Sequence, residues 1–210
     1  MSNLFNVERP LMQILAKLTD LVLLNLLFLV TALPIVTIGA AWTSLLASWQ
    51  KILRGHDNQV ALTYLQLFRE NLKQGTLLWG ITVLFGGIFF MDYLLLQQAT
   101  GVLRGIGLFI LMPFVLLLLA GSTVWFAYIG RYRDTLKQVI KNAFLILINC
   151  FPWVVLASGI NGGLLYFAVS SPERLLTTIY SCTFFGFSAV ALINALIMKK
   201  VFGKIEQEKK

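Results

Sequence analysis

Charge is scarce in this chain. Only 12% of its 210 residues are charged, about half the share of an ordinary soluble domain, while 58% are hydrophobic. A single core in a domain of this size cannot hide so much apolar surface from water. Histidine and cysteine are scarcer still. The one histidine, His56, stands in a polar stretch, and the two cysteines, Cys150 and Cys182, sit inside apolar runs. A zinc or haem centre needs more donors than these at ligand spacing. No metal or other cofactor is expected, and the thiols read as small hydrophobes. Catalytic signatures are missing too: no glycine-rich P-loop with its lysine, no H-E-x-x-H pair, no serine motif that His56 could serve as base. These gaps argue against an enzyme, and against an ATP-hydrolysing subunit of the P-loop kind in particular.

Long apolar runs take the place of charge. Residues 76–96, 105–129, 143–169 and 175–198 are each long enough for a helix across a hydrocarbon core of about 30 Å. Backbone groups in lipid must pair within the segment, so helices are required, and the short alternating strands of a barrel are absent. The run 143–169 is interrupted by Pro152 and by glycines 159, 162 and 163. Segment 18–53 allows two readings, one long kinked helix or two short antiparallel ones. Its break is Pro34 through Thr37 to Gly39, where the proline removes a backbone donor and the glycine permits unusual backbone angles. Upstream, Leu11, Ile14, Leu15 and Leu18 share one helical face. A short interfacial helix from near Pro10 accounts for them, as does an early start of the first span. With no small-x-small cleavage site at a sensible distance, that span is expected to be retained.

The formal net charge is +8, but the basic residues lie between the apolar runs rather than in one patch. That distribution argues for membrane topology and against nucleic-acid binding. Loop 51–75 carries Lys51, Arg54, Arg69 and Lys73; loop 130–142 carries Arg131, Arg133, Lys137 and Lys141; the tail carries Lys199, Lys200, Lys204, Lys209 and Lys210. Connections 97–104 and 170–174 carry one each, Arg104 and Arg174. The rich segments are therefore expected in the cytoplasm and the poor ones outside. Arg9 and Lys17 favour the same side for the N-terminal segment as for loop 51–75. This favours the hairpin turning at Pro34, Thr37 and Gly39, with arms of about 16 residues or about 24 Å, over a five-span arrangement with the N-terminus outside. The expected fold is thus a single all-α membrane domain over residues 1–210. It has about six membrane helices, the first two a short hairpin, and both termini in the cytoplasm.

Within loop 51–75, Tyr64, Leu65, Leu67, Phe68 and Leu72 alternate with Arg69, Glu70 and Lys73. The pattern predicts an amphipathic helix on the cytoplasmic face, anchoring on lipid headgroups or docking a partner. Asp20 and Asp92 fall near span ends and read as interfacial rather than as a proton relay. Asn25, Asn149, Asn161 and Asn194 lie deeper, where interhelical hydrogen bonding is the expected use and a polar solute path the sharper alternative. Gly86, Gly87 and the 159–163 glycines read as close-packing positions.

Three stretches together carry a resemblance. LTDLVLLNLLFLVTALPIVTIGAA, ILRGHDNQVALTYLQLFRENLKQGTLLW and RYRDTLKQVIKNAFLILINCFPWVV are similar, in order and spacing, to the YesL family of bacterial membrane proteins, from about Leu18 to Lys199. Asn149 and Cys150 stand where the family pattern leads one to expect a basic residue or histidine before the proline. The resemblance implies the bacterial cytoplasmic membrane and a context of carbohydrate uptake by ABC importers, and it brings no catalytic residues with it. The expectation is a non-catalytic accessory or assembly subunit of such an importer, in the bilayer and against ABC permease subunits. Arg54, Arg69, Lys73, Arg131, Arg133 and Lys137 are the candidate contacts. The alternative is a stand-alone transporter or channel for a small solute.

Overall fold

A computed structural model describes residues 10–55 and 59–208; His56, Arg9, Lys209 and Lys210 lie outside them. No strand occurs among the described residues. The helices are α1 (Pro10–Ala32), α2 (Ile38–Ile52), α3 (Val60–Gln98), α4 (Gly101–Ile129), α5 (Leu136–Asn149), α6 (Phe151–Val169), α7 (Pro172–Ser181) and α8 (Phe187–Glu208). A 3-10 turn at Ile35–Thr37 leads into α2, and a π-helical segment at Cys182–Gly186 joins α7 to α8. Pro10, Pro152 and Pro172 each stand in the first turn of a helix, where a missing N–H leaves no bond unmade. Five helical stretches are long and apolar enough to cross a membrane: Leu15–Ala32, Val60–Gln98, Gly101–Ile129, Phe151–Val169 and Pro172–Gln207. The chain is an all-α membrane protein, as its composition requires.

The first two helices double back on each other. Along one continuous helix, residues 25 and 49 would be about 36 Å apart. Instead both meet Ser188: its N–H donates to Asn25 Oδ1 at 3.1 Å, and its Oγ accepts from Trp49 Nε1 at 3.0 Å. The Phe28 and Trp42 rings also meet, with centroids 6.0 Å apart. At 15 residues, α2 is about 22 Å long, short of a hydrocarbon core. Eleven of those residues are buried, against α1, α3, α4 and α8. Gly39 is needed for closeness rather than for backbone freedom. A Cβ there would collide with Gly75 O and Trp79 Cβ, and one on Gly75 would lie 2.7 Å from Ala40 Cα. At the other end of α2, a Cβ on Gly130 would come within 2.8 Å of Ala47 Cβ.

Several boundaries differ from those expected. Helix α1 runs unbroken from Pro10, so residues 10–17 are its first turns and not a separate interfacial helix. The amphipathic stretch of loop 51–75 is likewise no separate element. It is continuous with the following span in α3, whose 39 residues extend about 58 Å. Its apolar face packs inward rather than along a membrane surface: Tyr64 and Leu67 are buried with Asn71, Gly75 and Leu78, where α3 packs on α2, while Leu65 is exposed. Run 143–169 is broken at Cys150, one residue before Phe151–Pro152, while glycines 159, 162 and 163 lie within α6. Of the glycines expected at helix contacts, Gly86 and Gly162 reach only ordinary contact, a Cβ there lying 4.0 Å from Leu118 and 3.8 Å from Leu119 of α4. A Cβ on Gly87, Gly159 or Gly163 would meet nothing within 4 Å in the chain, whereas Gly39, Gly75 and Gly130 mark the close helix contacts.

Beyond this packed body, α3 and α4 continue as a two-helix arm. No residue between Leu78 and Thr123 is buried. The arm turns tightly at Gly101, whose φ of 63° suits glycine. Asn161 in α6 hydrogen-bonds Thr123 in α4. From that level α4 extends 22 residues to Gly101, about 33 Å, whereas α6 extends eight to Val169, about 12 Å. The arm therefore outreaches α6 by about 20 Å. Apolar side chains cover that reach: Val102, Leu103 and Phe109 are 78%, 70% and 81% exposed.

Candidate functional site

Most of the chain's chemistry collects at the end opposite the arm tip. Where α4 ends, its apolar run gives way to Arg131, Tyr132, Arg133 and Asp134, which lead into α5. Thr135 caps α5 by exchanging hydrogen bonds with Gln138, the arrangement that satisfies the first free N–H groups of a helix. This link folds over the polar half of α3 and the end of α2. Together they wall a cavity of about 640 Å³ lined by Lys51, Glu70, Asn71, Lys73, Gln74 and residues 129–135. Four cations and two carboxylates meet there.

The carboxylates are committed. Glu70 pairs with Arg133 at 2.9 Å and accepts from Gln66 Nε2 at 3.0 Å. Asp134 Oδ2 accepts from the Tyr128 hydroxyl at 2.5 Å, and the Asp134 carbonyl accepts from Gln74 Nε2 at 2.9 Å. Arg131 is held on its far side by Glu206 of α8 at 2.7 Å, and its guanidinium lies 4.9 Å from the centroid of the Phe202 ring. Tyr132 donates to the same carboxylate at 2.8 Å. Burial, then that bond, pushes the Tyr132 phenol above its ordinary range. Arg54 stands within electrostatic reach of this group; burial and then Arg131 lower its pKa. Lys51 and Lys73 make no ion pair or side-chain hydrogen bond among the described residues.

Of the candidate contact residues, then, the fold brings Lys73, Arg131 and Arg133 to one cavity and Arg54 to its margin. Arg69 and Lys137 point away, exposed on α3 and α5. Lys51 belongs with the first group, although only its place in a basic loop distinguished it in the sequence. Of the carboxylates that set the charge balance, Glu70 was noted in the sequence only as a polar position of the amphipathic stretch, and Asp134 and Glu206 were not singled out. The regular Gln66, Glu70, Gln74 spacing on one helical face was an available signal, since all three side chains bond at this end of the protein. The hairpin residues lie elsewhere, at the bend. Pro34 is extended, Thr37 Oγ1 donates to the carbonyls of Thr31 and Pro34, and Gly39 begins the close contact with α3.

Two further polar groups lie in the body. Asn161 and Asn194 exchange side-chain hydrogen bonds at 3.2 and 2.9 Å, and Asn161 also donates to Thr123. Asn25 inserts beside the π-helical segment. Its amide donates to the carbonyls of Cys182 and Thr183 at 2.9 and 3.1 Å while its oxygen accepts the Ser188 N–H. A π segment leaves the regular backbone ladder, and one side chain restores its partners. Asn149 is exposed at the end of α5. Asp92 is exposed on the arm, beside an apolar cavity of about 500 Å³ between α3 and α4.

Residues 21–93 match a family described only as protein of unknown function, DUF624. The matched stretch contains about half of α1, all of α2 and most of α3. It includes Lys51, Glu70 and Lys73 of the cavity, and stops before the α4–α5 link that supplies the arginines. No curated protein and no solved structure matches the chain.

Proposed function

We propose that the chain is a non-catalytic accessory or assembly subunit of a carbohydrate ABC importer in the bacterial cytoplasmic membrane, with both termini and the basic end in the cytoplasm. The observation that carries this reading is the α3–α4 arm. Two helices with no buried residue between Leu78 and Thr123, which outreach α6 by about 20 Å, present mostly apolar side chains along that reach. A bilayer level that covers α6 leaves Val102, Leu103 and Phe109 beyond it, and apolar patches that large mark surfaces meant for lipid or protein. Permease helices seated against the arm would cover it along its whole length. The YesL resemblance supplies the class of partner. The stand-alone transporter needs polar groups lining a path within the bundle; Asn25, Asn161 and Asn194 are engaged with partners of their own, and the buried polar atoms without one among the described residues are Ser48 Oγ, Gln50 Oε1 and Trp125 Nε1.

The test is co-purification with an affinity-tagged permease pair in mild detergent, with a photo-crosslinking residue at Leu103 or Phe109. Retention and a crosslink to permease are expected. Loss of the chain in the first wash, with crosslinks to lipid alone, sinks the proposal.

A further inference from the structure

We infer that the basic cavity between α2, α3 and the α4–α5 link binds a phosphate oxyanion. The inference stands apart from the partner proposed above, because it rests on the charge and depth of the cavity and not on the arm. Glu206 answers Arg131 and Glu70 answers Arg133, while Asp134 is engaged by the Tyr128 hydroxyl. Lys51 and Lys73 line the cavity without an ion pair among the described residues, and the four cations of the lining exceed its two carboxylates, Glu70 and Asp134. Two ammonium groups that line one cavity repel each other, and a bound anion turns that repulsion into attraction. Lysine suits a phosphate, which it meets as a point charge with rotatable donors.

Depth selects the source of the anion. The Tyr128 and Tyr132 rings, 4.7 Å apart, stand where the apolar run of α4 ends, and Lys200 lies 4.6 Å from the Trp153 ring centroid nearby on α6 and α8. Tyrosine and tryptophan at the end of apolar helices mark the level of lipid headgroups. Basic pockets between helices at that level take headgroup phosphates. A phospholipid headgroup and free phosphate offer the same oxyanion, and the experiment separates them.

The full chain is purified in a neutral detergent, and its thermal unfolding is followed with added phosphatidylglycerol, phosphatidylcholine, inorganic phosphate at constant ionic strength, or an oligoglutamate peptide. The variants are Lys73→Gln, the double Lys51→Gln/Lys73→Gln, and Lys137→Gln, whose lysine lies outside the cavity. Phosphatidylglycerol is expected to stabilise the wild type more than phosphatidylcholine does. Its affinity is expected to fall about fivefold in Lys73→Gln and about thirtyfold in the double variant, with Lys137→Gln unchanged. Inorganic phosphate that stabilises the wild type and competes with the lipid identifies free phosphate as an equivalent ligand. Lipid binding that phosphate cannot displace identifies the headgroup as the source. Because Lys73 is exposed, the single variant keeps the test decisive if the double variant does not fold. Equal lipid responses in the wild type and Lys73→Gln overturn the inference, as does stabilisation by oligoglutamate alone.

Discussion

Replacing Gly75 with alanine adds one methyl group to the seam between α2 and α3. The new Cβ would lie 2.7 Å from Ala40 Cα and 2.9 Å from Ala40 N, both backbone atoms of a buried helix. Carbon atoms rest about 3.5–4.0 Å apart, so α2 has to retreat by about 1 Å. A gap of that size forfeits up to about half the dispersion energy of each atom pair across the seam. Such overpacking costs about 1–3 kcal/mol. Alanine returns up to about 1 kcal/mol through its helix propensity, leaving a net loss of about 0–2 kcal/mol. Gly80 supplies the internal control. It lies five residues on in the same helix, and a Cβ there meets nothing within 4 Å. Gly80→Ala should therefore gain what Gly75→Ala cannot keep, and the two variants should differ by about 1–3 kcal/mol. Thermal unfolding of both in one detergent, followed by the monodisperse fraction remaining after heating, reads the difference. Equal stability of the two variants would falsify the close α2–α3 contact.

Three other outcomes follow from the same packing. Asn25→Leu strands the carbonyls of Cys182 and Thr183 and the N–H of Ser188; each stranded buried group costs about 1–3 kcal/mol, so a large drop in unfolding temperature is expected, while exposed Asn149→Leu changes it little. Asn161 and Asn194 should show coupling of about 0.6 kcal/mol, up to about 1.7, in a double-mutant cycle; strictly additive losses from Asn161→Ala and Asn194→Ala would remove the pair from the account. Ser2→Cys and Gly55→Cys, each tested with an impermeant thiol reagent on intact cells and on inverted vesicles, should label from one and the same side because α1 and α2 double back; labelling from opposite sides would break the hairpin topology.

Hydropathy in this sequence marks the runs that become outward-facing helices, which is why the spans in α3 and α4 were legible while the buried position of α2 was not. Phe109 faces outward within a run read as a span, whereas Val102 and Leu103 were expected in the connection 97–104 and stand instead in the first turn of α4. Helix α2 mixes Thr43, Ser44, Ser48 and Gln50 with alanine and leucine, and all are buried. Its Thr43 and Ser44 hydroxyls donate to the carbonyls of Gly39 and Ala40, four residues back, which lets polar residues sit inside the bundle. The bend was readable from Pro34, but the central position of the arm that follows depends on contacts with α3, α4 and α8. The same holds at the basic cavity. Two basic loops could be counted from sequence; their meeting depends on Asp134 and Gln74, 60 residues apart, and on Arg131 reaching Glu206. The π-helical segment gave no signal of its own, and its partner Asn25 lies 157 residues before Cys182.

The bend between α1 and α2 carries information about where the hairpin ends. Leu33, Ile35 and Val36 are 78%, 74% and 65% exposed, which makes the tip apolar on its outside. A bend in water can leave its carbonyls to solvent, whereas in hydrocarbon each unsatisfied backbone group costs several kcal/mol. Here three of the carbonyls around the bend find protein donors. Thr31 O accepts from Thr37 Oγ1 at 2.7 Å, Pro34 O from Thr37 N–H at 2.9 Å, and Ile35 O from Trp79 Nε1 at 3.0 Å. Apolar side chains outside and satisfied carbonyls inside are together what a turn inside the bilayer needs. The short second arm agrees: at about 22 Å, α2 does not reach across a core of about 30 Å. Thr37 and Trp79 thus do for the bend what water does for an ordinary loop. The hairpin can end within the apolar layer and place α2, with its polar side chains, among the other helices rather than in lipid.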